Sequence, residues 1–294
     1  MGTRFLEFSV AVPGALVAEW PIQKRCALTL STKALDFGFP DCLQTCLQSG
    51  SISSYEVDRR KDNLVRPQFK SGGGFVATVA FCSQKGGVSK SSLARALAVE
   101  AARGGLTVKI ADLDVGQGST VDWHKDRVAG SIEPDIAVQL HRGPKEALAQ
   151  ANGVDLLVID GPARADKETI EIARLSDLVV LPTGASLDDL RPAIRTANSL
   201  KGAGIPGSRL LFVLSRIGTD AEAEAARAYI GEAGYRVAPG YVPERPAFRA
   251  IQNEGRSITE VRYAGLKASA EAVVQSLVDA AVGEGEGEGS THAG

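Results

Sequence analysis

The sequence predicts an α/β protein built on a mostly parallel, doubly wound sheet with helices on both faces. Three observations predict it. From Phe75 onward, short apolar runs alternate with amphipathic stretches, as in βαβ units whose strands are covered on both sides. A glycine-rich stretch with two lysines, Lys85 to Ser91, stands between the first such strand and the first helix. Two later apolar runs end in acids, Asp112 to Asp114 and Asp160, and strand ends in an open parallel sheet face the ligand crevice.

Taken in order, the apolar run 75–82 is the first strand and the stretch 90–103 after the glycines is the first helix. Strand 107–111 leads to helix 120–128, and strand 136–140 to helix 144–150. Strand 155–159 leads to helix 167–175, and strand 178–181 to helix 187–201. Strand 210–214 is followed by helix 221–232, and a last helix spans 264–281. No repeat of 20–50 residues is apparent.

The flanks have a different texture. Residues 1–72 hold three of the four cysteines, scattered aromatics and the charged stretch Asp58 to Asp62, without sustained periodicity. They read as a poorly ordered extension. A small helix-turn-helix around 34–60 with Gly50 in its turn, or an artefact of start-site choice, are the competing readings. Lys70 to Gly74 reads as a linker. Residues 73–282 form the folded domain. Residues 283–294 are a Gly/Glu repeat with small polar residues, expected to be disordered.

Composition narrows the function. The chain has 294 residues, 44% hydrophobic and 23% charged, with a formal charge of −2. No apolar run approaches the roughly 18 residues of a membrane helix. A near-neutral charge excludes a globally basic nucleic-acid coat but leaves room for a local basic patch. Cys26, Cys42, Cys46 and Cys82 include no C-x-x-C pair, so neither a zinc site nor a disulfide framework is indicated and a reducing, cytoplasmic setting is the default. The N-terminus shows no signal-peptide pattern.

The chemistry is concentrated in Gln84-Lys85-Gly86-Gly87-Val88-Ser89-Lys90-Ser91-Ser92. A phosphate chain needs converging backbone N–H groups, residues able to take unusual dihedrals, and the positive end of a helix beneath it. Lys90 then neutralises β/γ-phosphate charge and the Ser91 hydroxyl ligates Mg²⁺. The competing reading is a glycine-rich turn with a chance lysine. Gln84 stands at the first glycine of G-x-x-x-x-G-K-[ST] and Ser89 at the last. Ser89 is therefore expected at positive φ, with strain of about 1 kcal/mol.

Lys85-Gly86-Gly87-x-x-Lys90-Ser91 resembles the deviant Walker A box of the ParA/MinD family of ATPases. The resemblance implies ATP and Mg²⁺ as cofactors. It also implies that Lys85 reaches the phosphates of a partner's ATP across a nucleotide-sandwich homodimer. Asp112-Leu113-Asp114 with Gln117-Gly118-Ser119 resembles the family's D-x-D-P-Q-G-S segment, with Val115-Gly116 where a single proline is usual. By that resemblance Asp114 orients the attacking water, near Mg²⁺, and Asp112 supports it. Trp123 matches a tryptophan of plasmid ParA proteins, although a core aromatic is the plainer role. Residues 155–162 form an apolar strand ending in Asp160, a Walker B pattern that holds a carboxylate near Mg²⁺. Residues 181–190 resemble the family's P-x-x-x-S-x-x-D-L segment. Residues 242–248, with Pro243 and Arg245, resemble its I-P-x-R-x-x-F segment near the base. The expected site is therefore Lys85, Gly86, Gly87, Val88, Ser89, Lys90, Ser91, Ser92, Asp114, Asp160, Pro243 and Arg245, with Ser91, Asp114 and Asp160 at the metal.

Within that family the leading expectation is a partitioning ATPase, cytoplasmic and nucleoid-associated in a bacterium. It dimerises on ATP, binds DNA non-specifically and hydrolyses ATP slowly until a ParB-like partner stimulates it. Arg227, Arg245, Arg249, Arg256 and Arg262 are the basic candidates for phosphate neutralisation. A MinD-like positioning ATPase is the alternative. It would end in a basic, lipid-binding amphipathic helix, whereas this sequence ends in Gly/Glu repeats, and no membrane role is expected. A weakly hydrolysing switch or scaffold, suggested by Ser89, is the other alternative. A reductase with a cluster cysteine pair is disfavoured, because no cysteine follows Cys82.

Overall fold

A computed structural model describes residues 77–163 and 167–283. The expected extension 1–72 and the tail beyond Gly283 lie outside the described residues. Among the described residues eight strands form one sheet: β1 (Ala77–Phe81), β2 (Val108–Asp112), β3 (Ala137–Leu140), β4 (Leu156–Asp160), β5 (Leu178–Thr183), β6 (Leu210–Ile217), β7 (Arg236–Val237) and β8 (Val242–Pro243). The order is β3-β2-β4-β1-β5-β6-β7, with β8 on the far end of β6, and every pairing is parallel. The helices are α1 (Lys90–Arg103), α2 (Ser119–Ala129), α3 (Pro144–Ala149), α4 (Lys167–Arg174), α5 (Leu187–Gly202), α6 (Asp220–Glu232), α7 (Pro246–Gln252) and α8 (Ala264–Gly283).

The strands are near-continuous apolar runs because both faces are covered. Alternate side chains serve two cores. Val79, Phe81, Ile110, Val158, Val180 and Val213 pack with α1, α7 and α8 on one face. Ala80, Ala111, Ile159, Leu181, Phe212 and Leu214 pack with α4, α5 and α6 on the other. Burial of this apolar surface, at about 25 cal/mol per Å², is what holds the layers. No described helix is long and apolar enough to cross a membrane.

The topology creates the crevice. After β1 the chain steps outward to β2 and β3, returns to insert β4 beside β1, and then crosses to the other side for β5. Connections thus diverge on either side of the carboxyl end of β1, the switch point at which open α/β sheets bind ligands. Register sets Asp160 level with both Asp112 of β2 and Phe81 of β1. Just beyond, Gly161 donates its N–H to the Phe81 carbonyl at 3.1 Å. A Cβ on Gly161 would sit 2.8 Å from that oxygen, so only glycine allows the approach.

β7, β8 and α7 extend the expected pattern. The two strands have two residues each and α7 has seven, too few to build a periodicity. Leu113, just beyond β2, is buried in the second of these cores, and Thr183 is buried at the end of β5.

Candidate nucleotide site

The loop after β1 is held from both flanks. The Ser83 hydroxyl accepts from the Lys85 N–H at 3.1 Å and donates to the Lys85 carbonyl at 3.1 Å. From the end of β6, the Ser215 hydroxyl donates to the Val88 carbonyl at 2.9 Å, and Arg216 Nη1 donates to the Gly87 carbonyl at 2.9 Å. Arg216 has φ 58°, a left-handed conformation uncommon for a non-glycine residue and concentrated at functional sites. That twist aims its guanidinium at the loop. Glu244 beside it forms a 2.8 Å ion pair with Arg216 and a 2.7 Å one with Arg249. These bonds hold the Glu244 carboxyl below its ordinary range and raise Arg216 above its own. The sequence gives no signal for Arg216.

The start of α1 is built for an anion. Ser89 caps it at φ 68°, ψ 22°, without a side-chain capping bond, and the first turn has no acidic residue. Lys90 occupies the first helical position and makes no ion pair among the described residues. A cation there opposes the helix dipole, and the first N–H groups have no intrahelical partner. An anionic group above the loop satisfies both.

The expected positive φ at Ser89 is present, so Ser89→Gly should remove left-handed strain. Stability should rise by about 1 kcal/mol, read by urea denaturation, with basal turnover modestly faster. A variant less stable than the parent, or slower, would mean that the hydroxyl contributes and that the strain argument fails.

The loop, Asp114 and the segment 243–245 border one cleft of about 470 Å³. Ser91, Ser92 and Asp114 lie on its walls, as do Pro243, Arg245 and Phe248. Lys85, Val88 and Asp160 are not on that lining. Val88 points inward, 4% exposed. Lys85 is exposed and turns away to form an ion pair with Asp189 of α5, which Ser186 also contacts through its hydroxyl at 3.0 Å.

Asp160 lies behind the cleft. The Thr120 hydroxyl donates to its Oδ2 at 2.7 Å, while Oδ1 is buried without a hydrogen-bond partner among the described residues. An orphaned carboxylate oxygen at the end of β4, level with the end of the strand that leads into the loop, suits a hard divalent cation such as Mg²⁺. Asp112 has a different task. Its Oδ2 accepts the N–H groups of Thr120 at 3.0 Å and Val121 at 3.3 Å, and its Oδ1 that of Asp114 at 3.0 Å. It therefore fixes the start of α2 and the bend carrying Asp114. Burial, then the Asp160 charge, pushes its carboxyl up against the pull of those three donors. Burial also pushes the Cys82 thiol up to about 12, leaving it a small inert hydrophobe.

Trp123 is a core aromatic, 3% exposed. The guanidinium carbons of Arg95 and Arg127 each lie 5.4 Å from its ring centroid. Among the basic candidates, Arg227 is committed to the Ala238 and Gly240 carbonyls. Arg249 is paired with Glu244, and Arg245 donates to the Glu244 carbonyl at 2.8 Å. Arg262 is exposed. Arg191 and Arg195, one turn apart on the exposed side of α5, are further cations that the sequence reading did not single out.

A parallel sheet with a lysine-bearing loop at its switch point, an uncapped helix beneath and a strand-end carboxylate beside it defines a P-loop nucleotide-binding protein. The chain belongs to the family described as the CobQ/CobB/MinD/ParA nucleotide binding domain, whose model matches residues 79–258. No curated protein matches it by sequence. Among solved structures it is similar to the septum site-determining protein MinD of Pyrococcus horikoshii complexed with Mg-ADP. That match has 17% identity and TM-score 0.57, covering 72% of this chain and 100% of the other. It is similar also to a plasmid partition protein of Borrelia burgdorferi bound to AMPPNP, at 16% identity and TM-score 0.56, covering 70% and 99%. A third is a ParA family ATPase of Chlorobium tepidum, at 18% identity and TM-score 0.54, covering 68% and 98%.

Proposed function

We propose that this chain is a Mg²⁺-dependent ATPase of the partitioning type, which dimerises on ATP, binds DNA non-specifically and is released when a ParB-like partner stimulates hydrolysis. The observation that carries the reading is the divergence of the two loop lysines. Lys90 faces its own cleft, whereas Lys85 points out of it, to Asp189. A lysine in a phosphate loop that turns from its own nucleotide is placed to reach one held by a second copy. Its pairing with Asp189 involves a side chain 45% exposed, and such pairs are worth about 0–1 kcal/mol. Dimerisation can therefore break it cheaply. Val115, one residue after Asp114, and Leu187, two before Asp189, are large exposed apolar side chains that a second copy could cover.

Within this reading ATP lies along the cleft with its phosphates over Lys90 and Ser91 and its base toward Pro243 and Arg245. Asp160 and Ser91 would hold Mg²⁺, which supplies charge neutralisation at the phosphates. Asp114 borders the phosphate end, held by Asp112, and would orient the attacking water. Arg191, Arg195 and Arg262 carry no ion pair among the described residues and are the cations free to neutralise DNA phosphates.

The test is light scattering with DNA co-sedimentation, with and without ATP and Mg²⁺. The parent should become a dimer and bind DNA only with ATP, more weakly as salt rises. Lys85→Ala should bind ATP within about threefold of the parent, an energy change of about 0.6 kcal/mol, yet remain monomeric and off DNA. Normal dimerisation of that variant removes Lys85 from the interface. ATP-dependent sedimentation with anionic vesicles instead of DNA would favour the membrane-positioning branch of the family.

A further inference from the structure

We propose that Arg95 is a positioning residue for the nucleotide reaction: through the Thr120 hydroxyl it holds Asp160 so that one carboxylate oxygen is presented to Mg²⁺. The inference rests on the P-loop reading above and adds to it two residues outside its motifs, Arg95 and Thr120.

The geometry begins with an arginine in an unusual place. Arg95 projects from the middle of α1 and is 8% exposed, where a charge is costly unless it is hydrogen-bonded and compensated. It has no ion-pair partner within 4 Å among the described residues. Instead its Nε donates to the Thr120 hydroxyl at 3.1 Å, its Nη1 donates to Gln252 Oε1 at 3.5 Å, and its plane lies over Trp123. Burial opposes its charge, while the Asp160 and Asp112 carboxylates support it.

The Thr120 hydroxyl makes the arrangement directional. A hydroxyl has one proton. Because Thr120 Oγ1 accepts from a guanidinium that can only donate, its own proton is left for Asp160 Oδ2, 2.7 Å away. Asp112 fixes the Thr120 main chain from the other side. Asp160 Oδ2 thereby accepts the Thr120 hydroxyl proton, and Oδ1 is the oxygen without a partner among the described residues. Arg95 also touches Gln252, the last residue of α7, the helix that follows the base-side segment. Arg95 also lines the cleft beside the loop, so one side chain links the base end of the cleft to the metal-side carboxylate. Sequence separations of 25 residues to Thr120 and 157 to Gln252 explain why no local motif reveals it.

The experiment uses the full chain and measures ATP binding by equilibrium dialysis in EDTA and across a Mg²⁺ titration. Thr120→Val keeps the side-chain shape and removes both hydrogen bonds; Thr120→Ser keeps the hydroxyl. Arg95→Met removes the donor. In EDTA the two Thr120 variants should bind ATP within about twofold of the parent. The Mg²⁺ concentration that gives half of the metal-dependent gain should rise about tenfold in Thr120→Val and Arg95→Met, the loss of one charge-assisted bond, and return to the parental value in Thr120→Ser. If Arg95→Met does not fold, the Thr120 pair alone decides.

An unchanged Mg²⁺ midpoint in Thr120→Val overturns the inference and leaves Arg95 as packing for Trp123. An equal loss in EDTA and in Mg²⁺ also overturns it, because the effect is then on the cleft as a whole. A parent that binds no ATP overturns the P-loop reading itself. Parental Mg²⁺-dependent binding with unaltered variants overturns only the role of Arg95.

Discussion

Lys90→Ala should lose ATP binding by roughly 100-fold or more, because a charge-assisted contact to phosphate contributes up to about 3 kcal/mol, while its fold is retained or slightly strengthened. The second half of that expectation follows from the site rather than the motif. Lys90 is the first residue of α1, where a positive charge opposes the helix dipole. It contributes no ion pair to the fold among the described residues, and no acidic neighbour in the first turn offsets it. Removing it should therefore raise stability by a few tenths of a kcal/mol. Isothermal titration with ATP and Mg²⁺, paired with urea denaturation, separates the two effects. Unchanged affinity would sink the phosphate-site assignment. Lost affinity accompanied by substantial destabilisation would mean that Lys90 serves the fold.

The contrast between Lys90 and its surroundings shows what a sequence can disclose. The helix start at Lys90 was legible, and the expected span 90–103 coincides with α1, because loop, helix onset and apolar spacing occupy consecutive residues. The strand-end acids were legible for the same reason, since an apolar run and its terminal Asp are adjacent in the chain. Arg216 was not. Its side chain reaches Gly87 across 129 residues, and its left-handed backbone leaves no mark on composition. Asp112 was expected to support Asp114, but its capping of α2 depends on where α2 begins in space. Arg227 illustrates the opposite failure. A basic residue on a helix invites a phosphate role, yet this one is used to satisfy two carbonyls in the loop between β7 and β8. Charge can be counted from sequence; whether a charge is already occupied cannot.

The strongest stability effect should come from a residue with no motif at all. Glu260 ends a short 3₁₀ turn, Ile258–Glu260, and its side chain is 2% exposed. It accepts from Arg127 at 2.8 Å, from Arg103 at 2.7 Å and from the Ser257 N–H at 2.6 Å. Arg127 is itself 1% exposed, with carbonyl contacts to Pro134 and Gly255 as its remaining hydrogen bonds. The backbone approach is close enough that a Cβ on Gly255, at φ 73°, would run into the Arg127 main chain. The segment therefore cannot slide to accommodate a lost partner. Glu260→Ala strands a buried guanidinium without its counter-charge, and breaking such a pair from one side costs about 3–5 kcal/mol. Glu260→Gln keeps an acceptor and loses the charge, so it should cost less, about 2 kcal/mol. Urea denaturation of the parent and both variants reads these values directly. Because Trp123 donates to the Arg256 carbonyl in the same segment at 3.0 Å, its fluorescence should follow the transition in a Trp20→Phe background. A cost under about 1 kcal/mol for Glu260→Ala, the range of an exposed pair, would show that water reaches Arg127 and that the junction between α2 and the 255–260 segment is not the buried clasp its geometry describes.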